Sequence, residues 1–255
     1  MKGKNQNRCF HPAGCAVVLV WALAVSAGEV DPKAAEIFAL MDNHLAALQS
    51  IVLKGEITDE TVFGARHKLQ FGGTGTLSVQ APDRMFAVID SEIQHRRFYL
   101  NKGAFAMFDR DLNIYVTTSV PVPLPAAAVH LGQTYGLDLP VAELLMRSTR
   151  RKLIEDSEKV VYIGEARVRG QACRHIAGTM GAADWQLWIS VEKEPRPCKY
   201  IITDRSIPLA PQFTIVFDSW KSNVRIPAER FAFRPPEGAE QIEILPVRRA
   251  EGGEK

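Results

Sequence analysis

The chain has few cysteines, little excess charge and no signature of common enzyme chemistry. Its 255 residues include four cysteines, and 31 basic residues nearly balance 29 acidic ones. Binding to nucleic acid needs a clustered basic face, so this balance gives no indication of a nucleic-acid partner. The H-E-x-x-H, G-x-S-x-G and P-loop motifs are absent. We therefore predict no catalytic residue, no metal site and no cofactor.

The N-terminus has the pattern of a secretory signal peptide. Three basic residues precede an apolar run of 11 residues, 15–25, and small residues then predict cleavage after Ala27. A bilayer span needs roughly 17–25 residues, and no other stretch is long and apolar enough. The alternative to a cleaved signal peptide is that this apolar run forms an uncleaved membrane anchor or a buried helix. We expect removal of residues 1–27, which leaves 28 basic and 29 acidic residues in a soluble periplasmic protein.

The mature chain begins with a helical pattern. Asp31 and Pro32 suit an N-cap and a first turn, and apolar residues recur at helical spacing from Ala34 to Leu48. The pattern predicts a helix over residues 31–50. Its polar face lacks the Lys/Arg enrichment of membrane-surface helices, so packing on a sheet is favoured.

From residue 51 the pattern becomes one of short strands separated by turns. The predicted strands are 51–57, 66–79, 84–90, 97–100, 105–108, 113–118, 159–168, 172–179, 185–191, 199–203 and 212–220. Residues 101–103 and 168–170 fit hairpin turns. The spacing predicts a mostly antiparallel meander within one α+β domain, residues 28–246, followed by a disordered tail, residues 247–255.

Two features interrupt the strand pattern. Residues 121–156 begin with spaced prolines and become helical, which predicts a helical insertion covering one face of the sheet. The glycine run at residues 72–75 lacks the Lys-Ser/Thr of a phosphate-binding loop. We interpret it as a bulge or bend where the sheet curves.

Cys173 and Cys198 remain after removal of the leader. They begin two strands that a third strand, 185–191, separates, and strands two places apart lie roughly 9–10 Å from each other. A disulfide tolerates a Cα separation of only about 7 Å, so a simple meander disfavours the bridge, and it stays open whether one forms. Cys173 and His175 share a strand face, which is only a weak nucleophile–base arrangement.

Several strands are apolar on both faces, whereas a sheet with one wet face should alternate cleanly. Either helices and neighbouring strands cover both faces, or some of these side chains line a cavity for an acyl chain or another apolar ligand. The candidate lining residues are Phe86, Val88, Phe98, Phe105, Met107, Trp185, Leu187, Phe213, Ile215 and Phe217. Arg96 and Arg97 could stand at the cavity rim and pair with an anionic head group, or form an ordinary solvated strand end.

Several segments resemble one bacterial family. They are residues 68–75, 82–84, 96–100, 135–145, 184–189 and 231–239. Together they are similar to the predicted periplasmic proteins called domain of unknown function 2092, over nearly the whole mature chain. That family is similar in fold to LolA-type lipoprotein carriers. The resemblance therefore implies an open, strongly curved half-barrel sheet covered by an N-terminal helix and a helical insertion, and it supplies no activity.

Two functions fit this interpretation. The first is a carrier or chaperone that encloses a lipid or lipoprotein acyl chain. The second is an envelope sensor or protein-interaction module that uses the same fold without a small-molecule ligand. A cavity in the folded protein favours the first, and a filled core favours the second.

Overall fold

The computed structural model describes residues 28–64, 66–137 and 139–247. In chain order its strands are β1 (Glu29–Val30), β2 (Ser50–Phe63), β3 (His67–Gln80), β4 (Arg84–Ser91), β5 (His95–Asn101), β6 (Ala104–Asp109), β7 (Ile114–Ser119), β8 (Lys159–Val168), β9 (Gln171–Met180), β10 (Ala183–Ser190), β11 (Pro197–Asp204), β12 (Gln212–Ser222) and β13 (Glu240–Gln241). Its α-helices are α1 (Pro32–Ala46), α2 (Leu124–Tyr135), α3 (Pro140–Leu145) and α4 (Arg147–Glu155). The predicted signal peptide, and the predicted tail beyond Val247, lie outside the described residues.

The thirteen strands of the described residues belong to one sheet, in the order β1-β8-β9-β10-β11-β12-β2-β3-β4-β5-β6-β7-β13. Neighbouring strands are antiparallel except at the two edges, where β1 joins β8 and β13 joins β7 in parallel. The two edge strands do not pair with each other in this order, so the sheet stays open. The predicted open, curved antiparallel sheet with a few helices is confirmed.

The helices form where the sequence pattern placed them. The Asp31 carboxylate accepts a hydrogen bond of 2.8 Å from the Lys33 amide and so caps α1. The helix predicted over 31–50 ends at Ala46, because β2 already begins at Ser50. Gly136 ends α2 with a φ of 65°, a left-handed conformation that favours glycine. The insertion contains three helices, as its sequence indicated.

The core lies between these helices and the concave face of the sheet. Met41 of α1 and Leu131 of α2 are fully buried against it, and so are Ile176, Trp185 and Leu187 on the strands. The two short hairpin turns also form as predicted, since Lys102 and Gly103 have positive φ angles, as do Arg169 and Gly170.

The β2–β3 hairpin is much longer than the predicted strand 51–57. Its register runs without a shift from Ser50 opposite Gln80 to Phe63 opposite His67. The register therefore contains no bulge at the glycine run, and the other interpretation of this run, a bend where the sheet curves, stays a prediction. Pairing with β12 begins at Asp59 and pairing with β4 begins at Gly73. Residues 60–63 and 67–71 thus form a projecting hairpin beyond the neighbouring strands.

Residues 226–239 form a strap over the convex face of β3 to β7, and residues 240–241 then join the edge of the sheet as β13. A 3₁₀ helix at Ala228–Phe231 buries Phe231 completely. Phe233 contacts Tyr99 and Tyr115, with ring centroids 5.3 and 5.2 Å apart. The strap explains why strands in this half of the sheet are apolar on both faces: helices cover one face and the strap covers the other.

Candidate functional site

A cavity of about 400 Å³ remains on the concave face. Its floor is formed by β12 and β2 to β5, and its cover by the start of α3. The described lining residues are Leu53, Ile57, Asp59, Gly75, Thr76, Leu77, Met85, Ala87, Val88, Ile89, Gln94, Phe98, Leu139, Pro140, Val141, Ala142, Phe213 and Ile215. The volume falls within the roughly 300–1,000 Å³ of typical ligand pockets, which are likewise mostly apolar.

Small residues in the middle of the strands keep this space open. Gly75 lies opposite Gly55 on β2 and Ile89 on β4, and Ala87 lies beside Leu77. A Cβ built on Gly75 would meet the Ile57 side chain at 3.6 Å, an ordinary contact distance, so the space beside it is free. A larger side chain at this position would occupy the cavity.

The cover is fixed to the rest of the protein by a buried arginine. The Arg150 guanidinium donates hydrogen bonds of 3.0 and 2.9 Å to the carbonyl oxygens of Leu144 and Leu145, which end α3. It also donates to the Asp42 carboxylate on α1, at 2.6 and 2.9 Å. Arg150 therefore connects the end of the cover to the N-terminal helix.

Four of the ten predicted lining residues border the cavity. Phe98, Phe213 and Ile215 lie on its wall. Val88 also borders it, although its side chain shares the convex face with Arg97. Phe213 stands opposite Asp59 and Ile215 opposite Ile57 in the β12–β2 register. The strand alternation thus placed these side chains correctly relative to one another.

Six predicted lining residues lie elsewhere. Five are on the concave face but belong to or pack against the core: Phe105, Met107, Trp185, Leu187 and Phe217. Trp185 is 1% exposed and Leu187 0%. Phe86 lies on the convex face, with its ring centroid 4.9 Å from that of Tyr99 and with Arg230 above it. The alternation shows which side chains share a face, but not which face is concave or where helices fill it.

The predicted rim arginines do not form a paired anion site. Arg97 belongs to the convex face, whereas Arg96 shares the concave face with Ile89. The Arg96 Nε donates to the Asp109 carboxylate at 3.0 Å. Burial alone would raise the pKa of Asp109, but hydrogen bonds from Arg96 and from the amides of Leu112 and Asp111 outweigh it and lower that pKa.

Asp59 is the site residue that the sequence reasoning missed. It is the one ionisable side chain among the described residues that line the cavity. Burial raises the pKa of its carboxyl group; a hydrogen bond from the Glu60 backbone opposes this, and the Glu60 charge adds to it. Its position in the sequence could have identified it, because alternate residues of a strand share one face and Asp59 is at even spacing from the apolar residues Leu53 and Ile57 on β2.

Cys173 and Cys198 form a disulfide with a Cα separation of 7.1 Å, although β10 lies between their strands. The expectation that a simple meander would keep the two thiols apart is wrong. Opposite β10 the register skips from Lys199 to Pro197, which leaves Cys198 in a bulge. The bulge interrupts the regular strand spacing on which the predicted separation rested.

The disulfide removes Cys173 from consideration as a nucleophile. His175 stacks on the Trp188 ring with centroids 3.9 Å apart, and burial lowers the pKa of its imidazole. Within the described ranges, no three His, Cys, Asp or Glu side chains come together in a way that could hold a metal ion. In the same ranges, no helix is long and apolar enough to cross a membrane.

Comparisons with known proteins place the chain in a family. The family described as "Predicted periplasmic protein (DUF2092)" matches residues 34–245. No curated protein matches the sequence significantly.

Several solved structures resemble the chain at low sequence identity. The lipoprotein LppX of Mycobacterium tuberculosis is 13% identical over 77% of this chain and 98% of its own, with a TM-score of 0.48. An uncharacterised conserved protein of Thermus thermophilus is 10% identical over 82% and 98%, with a TM-score of 0.47. A LolA superfamily protein of Nitrosomonas europaea is 9% identical over 78% and 97%, with a TM-score of 0.36.

Proposed function

The chain belongs to the DUF2092 family of predicted periplasmic proteins, and we propose that it binds one apolar chain in the cavity beneath α3. In this proposal residues 28–246 act as one non-enzymatic carrier or chaperone domain for a lipid or a lipoprotein acyl chain. The observation that carries the proposal is the cavity itself, a mostly apolar space on the concave face whose wall includes core residues such as Leu53, Met85 and Phe98.

The size of the cavity limits the ligand. At about 30 Å³ for each water-sized group, 400 Å³ holds roughly a dozen such groups. This is room for one medium-length chain rather than for several. Each buried methylene contributes about 0.8 kcal/mol, so such a chain binds through apolar contact alone.

The surroundings of the cavity supply a route for an apolar ligand. Asp59 lies where the projecting hairpin begins, and Phe71 stands opposite it. Leu69 and Phe63 follow on the same face and are 45% and 53% exposed. An apolar surface thus runs from the cavity wall outward along the hairpin, and the ligand can keep apolar contact as it enters.

Filling the cavity tests the proposal. We expect a Gly75→Leu variant to occupy the space that the ligand needs, because the Gly75 position opens toward the cavity. Gly72→Leu is the matched control, since residue 72 lies on the other face of β3 and a Cβ there meets only the Glu92 side chain at 3.6 Å. Native mass spectrometry, and displacement of an uncharged fluorescent acyl-ester probe of medium chain length, report occupancy in both variants.

The expected result is probe binding by the wild type and by Gly72→Leu, with at least a tenfold loss of affinity in Gly75→Leu. Thermal melts establish that both variants fold. Wild-type protein that is always empty and does not bind acyl probes would overturn the proposal. Equal binding by both variants would place the ligand outside this cavity.

A second candidate, an envelope protein-interaction module, is favoured by the exposed apolar side chains of the projecting hairpin. In this case Phe63 and Leu69 contact a partner protein rather than guide a ligand. We expect a Phe63→Ser/Leu69→Ser variant to lose an in-cell photo-cross-link from the hairpin while keeping its probe affinity. If the cross-link persists, or if probe binding is lost instead, the hairpin serves the ligand and not a partner.

A further inference from the structure

The cavity has one polar feature that specifies a ligand beyond its apolar chain. The Asp59 carboxylate is part of the wall, between Phe213 on β12 and Phe71 on β3 in the strand register. Thr76 and Gln94 are the other polar residues in the described lining. One end of an otherwise apolar space therefore carries a strong hydrogen-bond acceptor.

This carboxylate has no cationic partner among the described residues. Its hydrogen bond comes from the Glu60 backbone. The neighbouring Glu60 side chain is occupied by Lys68 at 2.9 Å and by the Gln212 amide at 2.9 Å. Lys68 is thereby held at Glu60, and Asp59 is left available to a group that enters the cavity.

The other described charged groups on the concave side do not supply Asp59 with a cationic partner. On the concave side, β5 and β6 contribute Arg96, whose guanidinium is bound to Asp109. The end of β11 contributes Asp204, whose carboxylate accepts hydrogen bonds from Ser206. Other ionisable residues on this side include His67 on the projecting hairpin, Glu143 on α3, Tyr200 on β11 opposite Ile215, Arg174 on β9 opposite Ile189, and the Asp42–Arg150 ion pair.

We propose that Asp59 selects the head group of the ligand: the bound molecule is a single-chain amphiphile whose head donates a hydrogen bond and carries no negative charge. This inference rests on the proposed function and deepens it. An ionised carboxylate is only an acceptor, so an alcohol, amide or amine head can donate to it. A carboxylate or phosphate head would place two like charges together in a poorly solvated site.

The test compares ligands that share one chain and differ in their heads. Binding of 1-decanol, decanoate and decylamine to the purified periplasmic protein is measured at pH 7.5 by displacement of an uncharged fluorescent alkyl probe. The variants are Asp59→Asn, which removes the charge, and Asp59→Glu, which keeps it. Asp90→Asn removes one negative charge from the opposite face of β4, where Asp90 pairs with Arg110, and serves as the control.

We expect the wild type, Asp59→Glu and Asp90→Asn to bind decanol at least about tenfold more tightly than decanoate, because like charges in close contact repel strongly. Asp59→Asn should bring the two affinities within about threefold and weaken binding of decylamine. Equal affinities in the wild type, or an unchanged ratio in Asp59→Asn, would overturn the head-group assignment while leaving the carrier proposal standing. If neither the probe nor any of the three ligands binds, both proposals fail together.

Discussion

Arg150 and Asp42 form a buried ion pair between the helical insertion and the N-terminal helix. Arg150 is 0% and Asp42 6% exposed, and two guanidinium nitrogens contact one carboxylate oxygen at 2.6 and 2.9 Å. Burial lowers the pKa of Arg150, while the hydrogen bond and the charge of Asp42 oppose that shift. Because the same guanidinium binds the last carbonyl groups of α3, this pair determines where the cavity cover sits.

We expect an Arg150→Met variant to lose about 3–5 kcal/mol of unfolding free energy, because it leaves the Asp42 carboxylate buried without its main partner. Arg147→Met is the matched control. Arg147 contacts the same carboxylate at 3.3 Å, but its side chain is 55% exposed, so its loss should cost about 0–1 kcal/mol. Urea unfolding monitored by tryptophan fluorescence measures both values.

An Asp42→Leu/Arg150→Met double variant separates the two effects of the pair. Replacing a buried ion pair by apolar groups is often neutral or stabilising. The double variant should therefore recover stability relative to Arg150→Met, while α3 still lacks the guanidinium that binds its end. Similar losses for Arg147→Met and Arg150→Met would contradict a specific structural role for the buried pair.

The Cys173–Cys198 disulfide should contribute measurably to stability in an oxidising compartment. It links residues 25 positions apart, and closing a loop of that length restricts the unfolded chain by about 3 kcal/mol. We expect reductant to lower the urea midpoint of the wild type and to leave a Cys173→Ser/Cys198→Ser variant unchanged. Two titratable thiols in the native oxidised protein, or equal sensitivity of both proteins to reductant, would contradict the bridge.

Much of the fold was predictable because its signals are local. The capping by Asp31, the glycine that ends α2 and the positive φ angles at Lys102 and Arg169 all follow from short-range chemistry. The strand predicted at residues 66–79 matches β3, but the extension of β2 beyond residue 57 was not predictable in this way. Residues 60–63 pair with β3 alone and carry mixed polar and apolar side chains, so they lack the clean alternation of a strand with one buried face.

The site was only half predictable, because it depends on contacts that are distant in sequence. The alternation in β4 separates Phe86 and Val88 from Met85, Ala87 and Ile89, but Phe86 and Val88 were assigned to the cavity. The strap reverses that assignment. Arg230, 152 residues from Ser78, donates to its hydroxyl at 2.9 Å and covers the Phe86 ring. The sequence of β4 alone does not show that the strap, which is so distant along the chain, buries the convex face of this strand.

Asp59 should reduce stability as the pH rises, and this can be measured independently of any ligand. Burial raises the pKa of its carboxyl group in the folded protein above the ordinary value. Between the unfolded and folded pKa values the folded state holds the proton that the unfolded chain has released, so the unfolding free energy falls as the pH increases through that window. An Asp59→Asn variant lacks this decrease and should gain stability relative to the wild type as the pH rises from the unfolded pKa of about 4 through the raised pKa of the folded protein.

Asp109→Asn provides a control of opposite sign on the same face of the sheet. The pKa of Asp109 is lowered in the folded state, so its carboxylate stabilises the protein above the unfolded pKa, and this stabilisation is lost as the pH falls through the folded pKa. The Asp109→Asn variant should therefore be less stable than the wild type at about pH 7, and the difference should shrink toward about pH 3. Thermal melts across this range compare the three proteins. Parallel pH profiles for the wild type and Asp59→Asn would mean that the Asp59 carboxylate is solvated in the native protein. Because water screens the charge of a solvated carboxylate, Asp59 would then not select among the head groups of a ligand.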